Sequence, residues 1–335
     1  MLRHGGSQPR IKEGAEDLFC ENICRRMIMK DTLAFLREEG VSADLIAGVE
    51  AFRNTYSMKE KYRDRIPDPS YRYYGKDVWE RALAALLSGR NLLLSGPKAT
   101  GKNVLCENLA AAFAMPVWNV SFHINMDATY LIGTDTFDGE KVTFRPGPIY
   151  LCAKEGGFGV LDEINMAKNE SLAVLHSALD FRRAIDVPGY DLIRVKPETR
   201  FIGTMNYGYA GTRELNEALS SRFAVLSMPE IGSTDLERLI MNSFPTMNAK
   251  ICGQFVKLFE ELLLKTQKAE ISDRALDLRG LLDAFSLIEQ GLTAGQALEM
   301  CIVNKTFDAY ERTLITDVVR SRIPAEMGRG EVFGN

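Results

Sequence analysis

The sequence predicts an α/β fold: a mainly parallel sheet flanked by helices, with two inserted β-hairpins, a helical domain after it and a small helical segment before it. Three observations predict it. Between residues 91 and 228, short apolar runs alternate with helix-periodic segments: NLLLS (91–95), VWNVS (117–121), FGVLDE (158–163), RFIGTMN (200–206) and FAVLSM (223–228). Such alternation belongs to strands buried on both faces and joined by helical crossovers. Residues 134–148 and 182–195 instead alternate apolar and polar positions around Asp138-Gly139 and Pro188-Gly189, the pattern of hairpins. From Ser233 to about Arg320 every periodic segment is helical, which marks a second domain.

In chain order, residues 11–66 read as two or three amphipathic helices, with Leu33, Phe35 and Leu36 at helical spacing and Gly40 ending the run. This segment, residues 1–70, has the look of a helical cap or docking element. IPDPSYRYYG (66–75) is an extended connector, because its prolines and glycine oppose a helix. A helix follows from about Lys76 to Leu87, then the alternating region to residue 230, then the helical domain over 231–322. The last stretch, 323–335, reads as a flexible tail.

The chain of 335 residues can bury more than one core, and its 41 basic against 45 acidic residues give a net charge of −4. That balance offers no overall attraction to nucleic acid or to an anionic membrane. No apolar run reaches the roughly eighteen residues of a membrane span, and the first ten residues lack a signal-peptide core, so a cytoplasmic location is expected. Cys20, Cys24, Cys106, Cys152, Cys252 and Cys301 form no CxxC pair, which suits reduced, buried thiols.

The chemistry starts at GPKATGKN, residues 96–103, between the strand NLLLS and the helix-like KNVLCENLAAAFA. Strand, glycine loop and helix in that order make a phosphate-binding loop. Gly96 and Gly101 let backbone amides face phosphate oxygens, with Pro97, Lys98, Ala99 and Thr100 forming the loop interior, while Lys102 brings a cation to the terminal phosphates. Asn103 stands where serine or threonine usually offers a hydroxyl to Mg²⁺. Its amide carbonyl is still an oxygen ligand for a hard cation, and Val104 continues the loop into the helix. GFGVLDEIN (157–165) supplies acidic partners at a strand end: Asp162 to hold the water shell of Mg²⁺, Glu163 to polarise a water for in-line attack.

With both halves present, the chain resembles the AAA+ ATPases, and within them the MoxR-like group with its CbbQ, NorQ and dynein-related relatives. FRPGPIYLCAKEGGFGVLDEINMAKNESLAVLHSALDFRRAI (144–185) carries that likeness, which spans about residues 70–320. The resemblance implies a P-loop NTPase core followed by a helical lid. It implies Walker A roles for Gly96, Gly101 and Lys102, Walker B roles for Asp162 and Glu163, and a water-positioning sensor at Asn206. It also implies an arginine finger at Arg222, reaching the nucleotide of a neighbouring subunit. In SDRALDLRG (272–280) it implies a lid arginine at a helix start; Arg274, two residues after the candidate cap Ser272, is the first choice and Arg279 the alternative. The connector around Tyr74, Gly75 and Lys76 is expected to border the adenine.

By the same resemblance the expected cofactors are ATP and Mg²⁺, the expected assembly a homo-oligomer of six subunits, and the expected partner a protein client, often one carrying a von Willebrand factor A domain. The hairpins are expected either to face a pore or partner or to pack as simple surface elements, with Phe137, Val142 and Phe144 deciding between the two. Two other classes stay open on sequence alone: a nucleotide-gated binding module with little turnover, and a DNA-acting motor.

Overall fold

A computed structural model describes residues 32–137, 139–187, 189–207 and 215–334. Its centre is a five-stranded parallel sheet of β1 (Asn91–Ser95), β2 (Val117–Ser121), β5 (Phe158–Asp162), β8 (Arg200–Met205) and β9 (Phe223–Ser227), in the order β2-β5-β8-β1-β9. The register aligns Leu92 with Ile202 and Ala224, and Val160 with Ile202. Every residue of central β1 is buried, whereas edge strands β2 and β9 each leave two or three residues partly or fully in solvent. That contrast explains why NLLLS is continuously apolar and VWNVS is not: helices cover both faces of an inner strand.

The flanking helices include α1 (Ala43–Thr55), α2 (Lys76–Leu87), α3 (Lys102–Phe113) and α4 (Pro148–Glu155). The two expected hairpins form. β3 (Gly133–Phe137) pairs antiparallel with β4 (Val142–Pro146), and β6 (Ala184–Ile185) with β7 (Ile193–Arg194). The turn residues Asp138 and Pro188 lie outside the described residues.

Of the leading segment, residues 1–31 with Cys20 and Cys24 also lie outside them. Residues 32–38 are helical, and with α1 they dock on the sheet domain: Leu36 and Val49 are fully buried in the same core as Trp79, Leu105 and Phe113. Arg53 holds the junction by donating to the carbonyls of Ala112 (2.7 Å) and Ala111 (3.0 Å) at the end of α3. A helix C-terminus is where orphan carbonyls and negative potential favour a cation.

The lid is helical, with α5 (Ser233–Ser243), α6 (Ala249–Gln267), α7 (Leu278–Glu289), α8 (Ala294–Cys301) and α9 (Ala309–Arg322). Phe285 at its centre meets Phe255 (4.7 Å between ring centroids) and Phe244 (5.3 Å) edge-on. The expectation of a flexible tail is corrected here. A short helix, Arg329–Val332, closes the chain; Val332 is fully buried and Phe333 nearly so, and Asn248 N–H donates to the Val332 carbonyl at 2.8 Å. Burying an apolar side chain contributes about 1.5–3 kcal/mol, enough to hold even a glycine-rich end. Cys106, Cys152 and Cys252 are buried free thiols and Cys301 is half-buried. Among the described residues, no helix is long and apolar enough to cross a membrane.

Candidate nucleotide site

All five strands end on one edge of the sheet, where Ser121 pairs with Asp162 and Ser95 with Met205. Ligands of open α/β sheets bind along this carboxyl edge. Here a cleft of about 770 Å³ opens between the sheet and the lid, a size that suits a nucleotide. Its lining includes Gly75, residues 98–104, Asp162, Glu163, Asn206, Arg274 and Arg279.

The loop after β1 is shaped by its backbone. Ala99 (φ 61°) and Gly101 (φ 76°) are left-handed, the kind of curl from which anion-binding concavities are built. At Gly101 a Cβ would also press on the Tyr73 ring at 3.2 Å, so glycine is required for both conformation and space. Lys102 opens α3 and is 8 % exposed. Its Nζ donates to the Gly96 carbonyl (3.0 Å), the Pro97 carbonyl (2.6 Å) and the Thr100 hydroxyl (3.2 Å). Burial pushes the ammonium down to about 8, and the charges of Asp162 and Glu163 only partly oppose it. A buried cation surrounded by neutral oxygens at a helix N-terminus fits a polyphosphate, which would supply the missing negative charge. Lys98 reaches across to the lid and pairs with Asp273 at 3.1 Å.

The opposite wall is a network of short polar contacts. Thr204, almost fully buried on β8, donates to Asp162 Oδ1 at 2.6 Å and accepts from the Glu163 N–H at 3.0 Å. Glu163 takes the left-handed conformation (φ 54°), and Asn206 Nδ2 donates to its Oε1 at 3.3 Å. Buried Asn165 donates to the Asn206 carbonyl at 2.8 Å. Asn103 Nδ2 stands 3.5 Å from Asp162 Oδ2. The amide thus turns its N–H end to the carboxylate, and service as a metal ligand requires the carbonyl end. Asp162, Ser121 and Asn103 all line the cleft, and each carries an oxygen of the hard kind that magnesium prefers.

On the lid side, the helix start expected near Ser272 lies further on. α7 begins at Leu278 with Asp277 at its N-cap, while the Ser272 N–H donates to Glu311 Oε1 at 2.5 Å. Arg279 is therefore the arginine in the first turn of a helix, and Arg274 sits in the preceding turn; both side chains are exposed toward the cleft they line. On the connector, the Gly75 N–H is taken by Glu39 Oε2 at 3.2 Å, and the Tyr74 hydroxyl accepts from Asn242 at 2.6 Å. Arg238 of α5 pairs with Glu39 and lies 4.5 Å over the Tyr74 ring. The wall expected to border the base is thus clamped between the leading segment and the lid.

Arg222 is not brought to this cleft. It precedes Phe223, which pairs with Asn91 at the start of β1, so it lies at the opposite edge of strands that are five residues, or about 16 Å, long. There it donates to the His176 carbonyl (3.2 Å) and pairs with Asp180 (3.2 Å). The hydrogen bond from Arg182 first, with Arg222 adding to it, holds the Asp180 carboxyl down to about 2. The cleft brings together Lys102, Asp162, Glu163 and Asn206, all named from the sequence, and adds Thr204, Asn165, Ser121 and Glu39 as lining or supporting residues that the sequence did not single out. The signal available for Thr204 was one hydroxyl inside the apolar run RFIGTMN.

A glycine loop between β1 and α3, with an acidic pair on β5 and an asparagine after β8, is the construction of a P-loop nucleotide-binding domain. Comparison with known families agrees: the AAA domain of the dynein-related subfamily matches residues 91–223. The uncharacterized protein YojN of Bacillus subtilis is 33 % identical over 269 residues, covering 79 % of this chain and 88 % of that protein. An uncharacterized protein of Staphylococcus haemolyticus is 32 % identical over 250 residues, 73 % of this chain and 95 % of its own length. One from Staphylococcus aureus is 32 % identical over 255 residues, 74 % and 97 % of the two chains. The chain belongs to the same family as these relatives and carries over residues 91–223 the AAA domain of the dynein-related subfamily, an ATP-binding P-loop domain of the AAA+ ATPase class.

Proposed function

We propose that this chain is an ATP-hydrolysing, MoxR-like AAA+ subunit that assembles into a ring in the cytoplasm, with six subunits as the expected number, and remodels or activates a protein client. The observation that carries the reading is the separation of parts. Lys102, Asp162, Glu163 and Asn206 share one cleft, while Arg222 stands at the far edge of the sheet from it, which supports a role for Arg222 at a neighbouring protomer's nucleotide rather than at its own. A symmetric ring repeats such a head-to-tail contact at every interface.

In this reading Lys102 neutralises charge on the terminal phosphates. Glu163 takes a proton from the attacking water, and Asn206 fixes the orientation of that carboxylate. Magnesium bound with the nucleotide would supply further charge neutralisation, with Asp162 and Asn103 the residues to hold it. Arg222 of the next protomer adds positive charge where it develops on the phosphoryl oxygens, an effect worth on the order of 10³-fold or more in related enzymes. The client is a protein recognised by the exposed hairpins, with a von Willebrand factor A domain as the leading candidate class.

The test is phosphate release with Mg²⁺ as protein concentration rises, alongside the mass of the assembly. Specific activity should climb as oligomers form. Mixing Glu163→Gln with Arg222→Ala subunits should restore part of the turnover, because some interfaces then pair an intact cleft with an intact arginine. Full activity in a verified monomer would defeat the reading. One observation favours a second reading, a nucleotide-gated binding module: Asn103 turns its N–H end, not an oxygen, to Asp162. That reading requires ATP binding with phosphate release no faster than in Glu163→Gln.

A further inference from the structure

We propose that Thr204 is a positioning residue for hydrolysis, holding both members of the acidic pair with one hydroxyl; this rests on the ATPase reading above. The backbone pairing of β5 with β8 ends at Leu161 and Gly203. Two residues further on, past the end of that ladder, the Glu163 N–H meets a side chain instead of a strand carbonyl. The Thr204 hydroxyl accepts from it at 3.0 Å and donates its own O–H to Asp162 Oδ1 at 2.6 Å. A single buried group therefore continues the sheet by side-chain bonding, at the point where the chain departs from it.

The consequence is geometric. A hydroxyl that accepts from one residue and donates to the next fixes the angle between Asp162 and Glu163. Glu163 is left-handed (φ 54°), a conformation that is unfavourable for a non-glycine residue and persists only where its surroundings hold it. The bond to Thr204 supplies that restraint, and the carboxylate then meets Asn206 Nδ2 at 3.3 Å. On Asp162, occupation of Oδ1 leaves Oδ2 to face Asn103 and the metal side of the cleft. A threonine chosen only for β-propensity would need its methyl group and branch point, not its hydroxyl. Partners of metal-site carboxylates generally cost about 10–100-fold in metal affinity or activity when removed.

The experiment compares wild type, Thr204→Val, which keeps the branched shape and loses the hydroxyl, and Thr204→Ser, which does the reverse. Phosphate release is measured across a Mg²⁺ titration at saturating ATP, and binding of a fluorescent ATP analogue is measured in EDTA. Thr204→Val is expected to lose about 10–100-fold in kcat and to need more Mg²⁺ for half-maximal rate, with metal-free nucleotide binding unchanged; Thr204→Ser should stay within about threefold of wild type. Wild-type kcat and Mg²⁺ requirement in Thr204→Val, or equal losses in both variants, would overturn the proposal. Should Thr204→Val fail to fold, Thr204→Ala against Thr204→Ser isolates the hydroxyl in the same way, and equal rates overturn it. If the wild type itself releases no phosphate, the ATPase reading fails separately. Mn²⁺ affinity with ATP bound, followed by electron paramagnetic resonance, then decides Thr204: weaker binding in Thr204→Val supports its role and equal binding overturns it.

Discussion

The nucleotide cleft and the paired hairpins solve opposite problems. In the cleft, the functional polar groups are tied to one another: Lys102 to three loop oxygens, Asp162 and Glu163 to Thr204, Asn206 to Asn165. At the hairpins, apolar groups are held out in solvent, with Phe137 69 % and Val142 63 % exposed. The hairpin bases are nonetheless ordered. Phe144 packs against Tyr150 (5.0 Å) and Tyr190 (4.8 Å), and the Tyr190 hydroxyl donates to Asp135 Oδ1 at 2.5 Å, joining the two hairpins. They are rooted beside α4, which runs directly into the strand that ends at Asp162. Within one chain the cleft lacks little but an external charge, whereas the hairpin tips gain only by meeting another surface, since exposed apolar area forgoes about 25 cal/mol per Å².

The largest effect that would test this contrast is at Glu163. Glu163→Gln keeps the shape and the contact with Asn206 but removes the proton acceptor, so turnover should fall by about 10²–10⁴-fold with ATP still bound. Phosphate release and analogue binding, measured together, check it. A loss of both would mean that the side chain builds the cleft rather than acting in it.

Next in size is the pH dependence set by Lys102. Its folded value of about 8 lies below the ordinary 10.5, so the unfolded chain binds more protons between those values. The contribution of this lysine to stability therefore rises as pH climbs through that window, and below it the buried charge carries its full penalty. Nucleotide affinity moves the other way, because the protonated form is the one that attracts phosphate. Titration in EDTA should show ATP binding weaken roughly tenfold from pH 7 to pH 9, and Lys102→Arg should flatten that dependence. An unchanged affinity across the range would remove Lys102 from the binding step.

At the hairpin tips the expected change is smaller still. Phe137→Ser with Val142→Ser alters two solvated side chains, and surface substitutions of this kind stay within about 0.5 kcal/mol each. Basal phosphate release should remain within about twofold and the melting temperature within a few degrees. A drop of several kcal/mol on assembly would show that the tips are buried between protomers.

How much of this was legible in the sequence depends on the range of each interaction. The strands, the hairpins and the loop-to-helix turn follow from patterns within ten residues, and they formed as expected. The contacts joining distant segments carried no local signature: Glu39 meets Arg238 across 199 residues and Gly75 across 36. Ser272 looked like a cap because cap chemistry is local, yet its amide is satisfied by Glu311 from α9, and the helix starts six residues later. The tail looked loose because its glycines suggest mobility, while the anchoring groups, Val332 and Phe333, find their partners in the lid. For Arg222 the sequence carried only the family resemblance, which implies reach to a neighbouring subunit; the strand register adds that it stands at the edge of the sheet opposite its own cleft.

The smallest predicted effect concerns the residue that departs most visibly from the loop pattern. Asn103 is exposed, and the 3.5 Å approach of its Nδ2 to Asp162 Oδ2 is at the limit of a hydrogen bond. Little stability depends on it. Asn103→Thr would replace an amide that must turn over with a hydroxyl that can offer its oxygen directly, on a stem one atom shorter. Thr204 would still hold Asp162 through Oδ1, so the carboxylate need not move. Affinity for ATP with Mg²⁺ and turnover should therefore match wild type or rise only slightly, by less than about twofold, well short of the 1.4 kcal/mol of a tenfold change. A severe loss in steady-state phosphate release, with metal-free nucleotide binding intact, would show that the amide itself is needed. The hydrogen bond to Asp162 would then be part of how this loop sets its metal.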